Sequence, residues 1–271
     1  MSQSAALPAT RYVELRGLRF AYSDLGSGPL VLDAHGLSSS RANNRLLQMS
    51  DFSAVASVGR RLVSYDARGH GESEGTEVAD DYTWAALAAD LLALADHFSP
   101  DAPVSAIGSS MGTGTLIHAA TQRPDRFDRL VLTAPPTAWE TRADQAAVYA
   151  TMADMVEAAD PQTLAQLFAS APPPPVFADV PGFPPPPDIR ADLLATVFRG
   201  AGRADLPPLE SLSALTQPTL VLAWDTDPGH PVSTAEKLLA ALPRAELHVS
   251  RTFADIQTWG ERAARFLTPG A

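Results

Sequence analysis

The chain contains no cysteine among its 271 residues, which removes disulfides, thiolate nucleophiles and cysteine-based metal sites together. No stretch approaches the roughly 18 consecutive apolar residues that a membrane-spanning helix needs. The opening MSQSAALPATRY lacks the basic start and apolar run of a secretory leader, so a cytoplasmic protein that does not enter a membrane is expected. Positive charge is scarce as well: 20 Lys and Arg stand against 31 Asp and Glu, for a formal net charge of -11 and a pI of about 4.9. A phosphate backbone or an anionic bilayer is repelled by such a surface on average, and neither is an expected partner. The acids are scattered rather than blocked, which reads as solubility. Also missing are a GxGxxG run after a first strand, a P-loop, and a histidine and carboxylate cluster at metal-ligand spacing. No cofactor and no metal are expected.

What is present is a large apolar fraction, 45% of the chain, enough for one sizeable core. Short runs rich in Val, Ile and Leu alternate with longer helical patterns, the order expected of a mostly parallel sheet covered on both faces. Residues 11–15 and 18–23 read as a hairpin turned at Arg16 and Gly17. Buried strands are predicted at 30–34, 61–65, 103–107, 129–133, 218–223 and 245–249, with helical patterns at 83–97, 111–122, 233–242 and 255–267.

The interval 136–213 breaks the alternation, dividing the chain into a core of residues 1–135 and 214–271 and an insertion. The insertion holds the helical stretches TRADQAAVYATMADMVEAA and PQTLAQLFA, then the tracts Pro172 to Pro175 and Pro184 to Pro187. Such tracts cannot continue a helix interior or a central strand and are expected to run as stiff surface segments. An insertion between two core strands reads as a lid that shapes a pocket.

The most informative segment is SAIGSSMGTGTLIHAA, where a predicted strand runs through Gly108, Ser109, Ser110, Met111 and Gly112 directly into a helix. This is a GxSxG elbow in its required strand, turn and helix context. The serine occupies a strained turn with its hydroxyl exposed, and the small residues two before and two after keep neighbouring backbone from clashing. The helix N-terminus adds the Met111 N–H and a partial positive charge for a developing oxyanion. Two further motifs accompany it: LVLDAHGLSSS, with His35 and Gly36 ending a strand and the Leu37 N–H as a second oxyanion donor, and YDARGHGES at 65–73.

Together these motifs resemble the α/β-hydrolase superfamily, in particular its esterase and lactonase branch, which includes the 3-oxoadipate enol-lactonases and the carbon–carbon bond hydrolases of aromatic breakdown. The resemblance runs from about residue 11 to the C-terminus and is least specific in the insertion. It implies an α/β-hydrolase fold, with a mostly parallel eight-stranded sheet flanked by helices and a helical, Pro-rich lid. It excludes haloalkane dehalogenase and epoxide hydrolase chemistry, in which the elbow carries an aspartate rather than Ser110. By the same resemblance the acid follows the strand after the lid, where the register GxxDxxxP falls on Trp224, Asp227 and Pro231, with Trp224 in place of glycine. Asp225 is the competing acid, and a helix-capping carboxylate is the bland alternative for either.

The base departs from that pattern. The loop after the last strand, SRTFADIQTW, holds no histidine, and the expected position falls at or near Asp255. Only His230 and His248 lie beyond Asp227. His248 sits within a predicted strand and reads as structural. His230, three residues past Asp227 on a strand-end loop, is the better candidate, either as the base itself or as a neighbour of it. His70 reads as structural, His97 as a surface residue and His118 as a packing residue.

Three functions fit. The first is a serine hydrolase of small apolar esters, lactones, thioesters or vinylogous diketones, with Ser110, Asp227 and His230 catalytic and the Leu37 and Met111 amides holding the oxyanion. The others are a non-hydrolytic lyase, cyclase or isomerase in the same pocket, and a degenerate binder of a small molecule. The intact elbow, HG loop and acid argue against a decayed binder. His35, Trp139, Met152 and Phe168 are the expected pocket residues, within a wider apolar set from the insertion that includes Tyr149, Met155, Phe177, Phe183 and Phe198.

Overall fold

A computed structural model describes residues 8–46, 49 and 51–268. Eight strands form one sheet in the order β1-β2-β4-β3-β5-β6-β7-β8. They are β1 (Arg11–Leu15), β2 (Leu18–Gly26), β3 (Leu30–Ala34), β4 (Arg61–Tyr65), β5 (Val104–Ser109), β6 (Phe127–Thr133), β7 (Thr219–Trp224) and β8 (Ala245–Ser250). β2 pairs antiparallel with both β1 and β4, and every other pairing is parallel. The parallel strands β3, β5 and β7 are buried at every position, which explains their continuous apolar runs: helices cover both faces, and no position faces water.

One face carries α2 (Trp84–Phe98), α3 (Met111–Gln122) and α8 (Val232–Ala241), packed over Leu32, Ala106, Leu130 and Val221. The other is closed by a 3-10 helix at Ser53–Val58 and by α10 (Trp259–Leu267) over Val31, Ile107, Val131 and Leu222. Alternate residues of each strand thus feed opposite cores. The short helices α1 (Arg41–Leu46), α7 (Leu209–Leu212) and α9 (Phe253–Ile256) sit in connections. The predicted helix at 255–267 is two pieces, α9 and α10. Among the described residues no helix is long and apolar enough to cross a membrane.

Between β6 and β7 the chain forms α4 (Arg142–Ala158), α5 (Pro161–Ser170) and α6 (Leu194–Arg203). α6 escapes a reading of the sequence because Gly200 and Gly202 dilute its helical propensity. It is nonetheless stabilised by an apolar stripe, Leu194, Val197, Phe198 and Ala201, packed against α4 and the 3-10 helix at Ala79–Tyr82. Arg142 fastens this segment to the core. Its guanidinium is buried over the Trp84 ring, 4.4 Å from the centroid, and donates to the carbonyls of Ala204 (2.6 Å) and Ala201 (2.5 Å). The second proline tract is anchored where it ends: Asp188 N–H donates to the Ser38 carbonyl and Gly71 N–H to the Asp188 carbonyl, both at 2.9 Å. That pins Pro184 to Pro187 beside the HG loop.

Candidate active site

The loops after β3, β5 and β7 converge at the carboxyl ends of the strands, the usual position of sites in open α/β sheets. Ser110 follows β5 with φ 51° and ψ -107°, outside the basins open to L-residues at low cost. The surroundings hold this strain. Ser110 N–H donates to the Thr133 carbonyl at 2.9 Å and its carbonyl accepts the first helical bond, from Gly114 N–H. The Thr113 hydroxyl ties down the Gly108 and Thr133 carbonyls at 2.7 and 2.8 Å. The two glycines of the motif are steric necessities: a Cβ on Gly108 would lie 2.3 Å from the Gly112 carbonyl oxygen, and one on Gly112 would lie 2.0 Å from that of Ala34.

Ser110 Oγ lies 2.8 Å from His230 Nε2, and His230 Nδ1 lies 2.8 Å from Asp227 Oδ2. Asp227 also accepts from Gly229 N–H at Oδ1 (2.8 Å) and from the Trp224 indole N–H at Oδ2 (3.0 Å). Burial alone pushes this carboxyl up, but the hydrogen bond and charge of His230, with the Gly229 and Trp224 donors, outweigh it and hold the group below its ordinary 3.8. An ionised carboxylate can only accept, so Nδ1 carries the proton and Nε2 is left to accept from the Ser110 hydroxyl.

Local chemistry explains how Asp227 and His230, three residues apart, come to meet. Asp227-Pro228-Gly229-His230 is a β-turn closed by His230 N–H to the Asp227 carbonyl at 3.1 Å, with proline and glycine at its centre as such turns favour. Thr137 N–H donates to the Gly229 carbonyl at 3.0 Å, fastening the turn to the start of the insertion. Asp225 turns away and accepts from Thr226 N–H at 2.7 Å.

Leu37 and Met111 flank the serine, and neither backbone N–H donates to another group among the described residues. His35 is not a pocket residue. It is buried, its Nε2 accepts from Ala67 N–H (2.9 Å) and its Nδ1 donates to the Gly36 carbonyl (2.8 Å). Burial pulls its pKa down to about 4, so a neutral ring fixes the HG loop from behind. His70, also buried, is pulled down to about 3 by burial and by His35.

Beside Ser110 is a cavity of about 240 Å³. Its apolar wall includes Leu37, Phe177, Phe183, Pro184, Pro185 and Trp224, and among the described residues Asp227 is the single carboxylate that lines it. The insertion therefore contributes to the wall through Phe177 and Phe183 of the wider expected set, with Pro184 and Pro185, but not through Trp139, Met152 or Phe168. Met152 and Phe168 line a separate groove between α4 and α5. Trp139 is held at Asp205 and Pro207, donating from its backbone N–H and indole N–H at 2.9 Å each. The anchored proline tract delivers Phe183, Pro184 and Pro185 to the wall.

Asp255, where the register expects the base, accepts from His248 Nε2 at 2.8 Å and from Arg262 at 3.1 Å. Among the described residues no group of three or more His, Asp and Glu side chains could hold a metal ion.

A family model described as the alpha/beta hydrolase fold matches residues 29–180, more than half of the chain. A mouse (Mus musculus) protein named sn-1-specific diacylglycerol lipase ABHD11 is 34% identical over 122 residues, 44% of this chain and 38% of that protein. An epoxide hydrolase of Caballeronia sordidicola is 31% identical over 115 residues, 42% of this chain and 33% of that one. The matches thus span only about a third of these relatives' length. The crystal structure of a hydrolase from Pseudomonas aeruginosa PA01 superposes with a TM-score of 0.77 at 25% identity, covering 97% of this chain and 98% of that one.

Proposed function

Because the chain belongs to the alpha/beta hydrolase fold family, we propose that it is a serine hydrolase of small, uncharged, largely apolar esters, lactones or thioesters, with Ser110 as nucleophile, His230 as base and Asp227 as acid. The observation that carries this reading is the 2.8 Å contact between Ser110 Oγ and His230 Nε2, the geometry that activates a hydroxyl whose proton must leave as it attacks.

In this mechanism Ser110 Oγ adds to the carbonyl carbon while its proton passes to His230 Nε2. The carbonyl oxygen, now negative, takes the Leu37 and Met111 N–H groups. Collapse of the adduct expels the alcohol, thiol or ring oxygen, which receives the proton from His230. A water then gives a proton to His230 and adds to the acyl-serine; collapse releases the carboxylic acid and restores the Ser110 hydroxyl. Asp227 remains ionised throughout and stabilises the transient imidazolium. Each step uses donors already in place, which is the condition for electrostatic stabilisation without reorganisation.

The wall supports the substrate class. Aromatic and proline rings give the reacting group an apolar surround, and about 240 Å³ is below the range typical of drug-sized ligands, which favours a short or compact acyl group. The insertion 136–213 acts as the roof that sets this limit through Phe177 and Phe183. The alternative, a non-hydrolytic reaction, draws on the absence of a histidine at position 255; His230 beside Ser110 favours the hydrolytic reading.

The test is labelling by a fluorophosphonate, read by intact mass, together with turnover of p-nitrophenyl esters of increasing chain length. Labelling of the wild type that is absent in Ser110→Ala and His230→Ala, with rates falling as the acyl chain outgrows the cavity, is the expected result. A folded wild type that is not labelled sinks the proposal.

A further inference from the structure

One side chain neither attacks nor carries a proton in this scheme, yet touches both groups that manage it. Trp224 ends β7 with 6% of its surface exposed, where the GxxDxxxP register has glycine. Its Nε1–H donates to Asp227 Oδ2, the oxygen that also receives His230 Nδ1. Its ring meets the imidazole edge-on, centroids 5.1 Å apart with planes at 72°. Two more rings hold the indole: Trp259 stacks on it at 5.3 Å and 10°, and Phe177 of the insertion packs edge-on at 5.0 Å. Trp259 is in turn fixed by donating to Ser250 Oγ at 2.9 Å.

We infer that Trp224 is the positioning residue of the Asp227–His230 pair, its indole N–H locking the carboxylate plane and its ring bounding the imidazole. The inference rests on the hydrolytic reading above. A base carried on a four-residue turn lacks the support of a long loop, and the His230 side chain is 23% exposed, so its aim needs a rigid neighbour. With Oδ1 tied to Gly229 and Oδ2 to Trp224, Asp227 cannot rotate about its last bond without giving up a donor. The indole also moderates the carboxylate: with one donor fewer, Asp227 would hold the imidazolium proton more tightly. Among the described residues the ionisable groups near this pair include Tyr149 of α4, with Arg142 beside it, and Asp225 on the same loop. Asp255, His248 and Arg262 bond to one another. The substitutions below leave all of these intact.

The experiment compares wild type with Trp224→Phe and with protein carrying 3-benzothienylalanine at position 224, which keeps the bicyclic shape and replaces the N–H by sulfur. Turnover of p-nitrophenyl acetate is followed against pH, and tryptophan emission is titrated in wild type and His230→Ala. Both altered proteins are expected to lose about tenfold in kcat/KM, through kcat rather than KM, as one hydrogen bond to a charged group accounts for. Their acid limb is expected to move to higher pH by about half a unit. Because an imidazolium quenches an adjacent indole, wild-type emission should fall on acidification with the midpoint of the acid limb. That fall should be absent from His230→Ala and from the sulfur analogue. An active wild type whose two variants keep its kcat and acid limb overturns the positioning role, even if KM changes. A wild type that is neither labelled nor active removes the hydrolytic reading and this inference with it.

Discussion

Asp227–His230 and Asp255–His248 are the same chemical pair placed at two sites, each joined at 2.8 Å. In the first, Asp227 is mostly buried, its other lone pairs are met by Gly229 and Trp224, and the free face of the imidazole meets Ser110. In the second, both side chains are about a quarter exposed, and the carboxylate is shared with Arg262. The α/β-hydrolase register expects a base at the second place, whereas the contact with the serine is made at the first. Pairing a histidine with an aspartate is thus the easy part. What separates the two is whether the backbone aims the remaining nitrogen at a nucleophile.

The strongest way to break this comparison is to delete the groups on the serine side. Ser110→Ala and His230→Ala are each expected to reduce kcat/KM on p-nitrophenyl acetate by roughly a thousandfold or more. His248→Ala should stay within about twofold of wild type, its pair being a partly exposed contact away from Ser110. Equal losses on both sides would mean that the pairs do not differ in function.

Asp227→Asn comes next. It retains the shape but removes the charge that sets the His230 tautomer, and a loss of about a hundredfold or more is expected. Asp255→Asn should leave turnover unchanged and shift the urea midpoint by less than about 1 kcal/mol in equivalent stability. A third substitution sharpens the contrast: Asp255→His in the His230→Ala background is expected to restore no activity, since position 255 faces β8 and Arg262 rather than Ser110. Recovery there would show that the register position can still reach the serine.

The smallest effect is in the pH dependence of stability. Burial raises both carboxyls, but in each case the histidine and the other donors outweigh it, so that both are held below the ordinary 3.8. A carboxylate depressed in the folded state stabilises the fold above its unfolded value, and this contribution fades as pH falls through the folded one. Stability measured by urea melts should therefore drop below about pH 4. Asp227→Asn should flatten that drop more than Asp255→Asn, because the Asp227 pair is the less exposed.

Much of this was legible in the sequence where one local rule acts alone. The buried runs at 30–34 and 61–65 became strands with those bounds, and the others shifted by only a few residues. The Gly108 to Gly112 elbow is dictated by sterics that any reader can apply. His230 could be singled out because it lies beyond Asp227 at a strand end, and the D-P-G-H spacing is itself a turn signal that joins base to acid. The pocket wall was harder, because it depends on where a proline tract is tied down. No periodicity in Phe183-Pro184-Pro185 announces that Asp188 will bond to Ser38. Met152 and Phe168 look like pocket residues only while α5 is imagined over the site. α6 was hidden by its glycines and is set by tertiary burial instead.

The turn at residues 227–230 gives the proposed acid and base an unusual inheritance. They are written side by side in four consecutive residues, so they travel through insertion, deletion and recombination as one cassette. A one-residue change of length inside that cassette should cost both at once. On the proposed assignment the loop at 251–258 carries no base, and a change in its length should cost only its own packing.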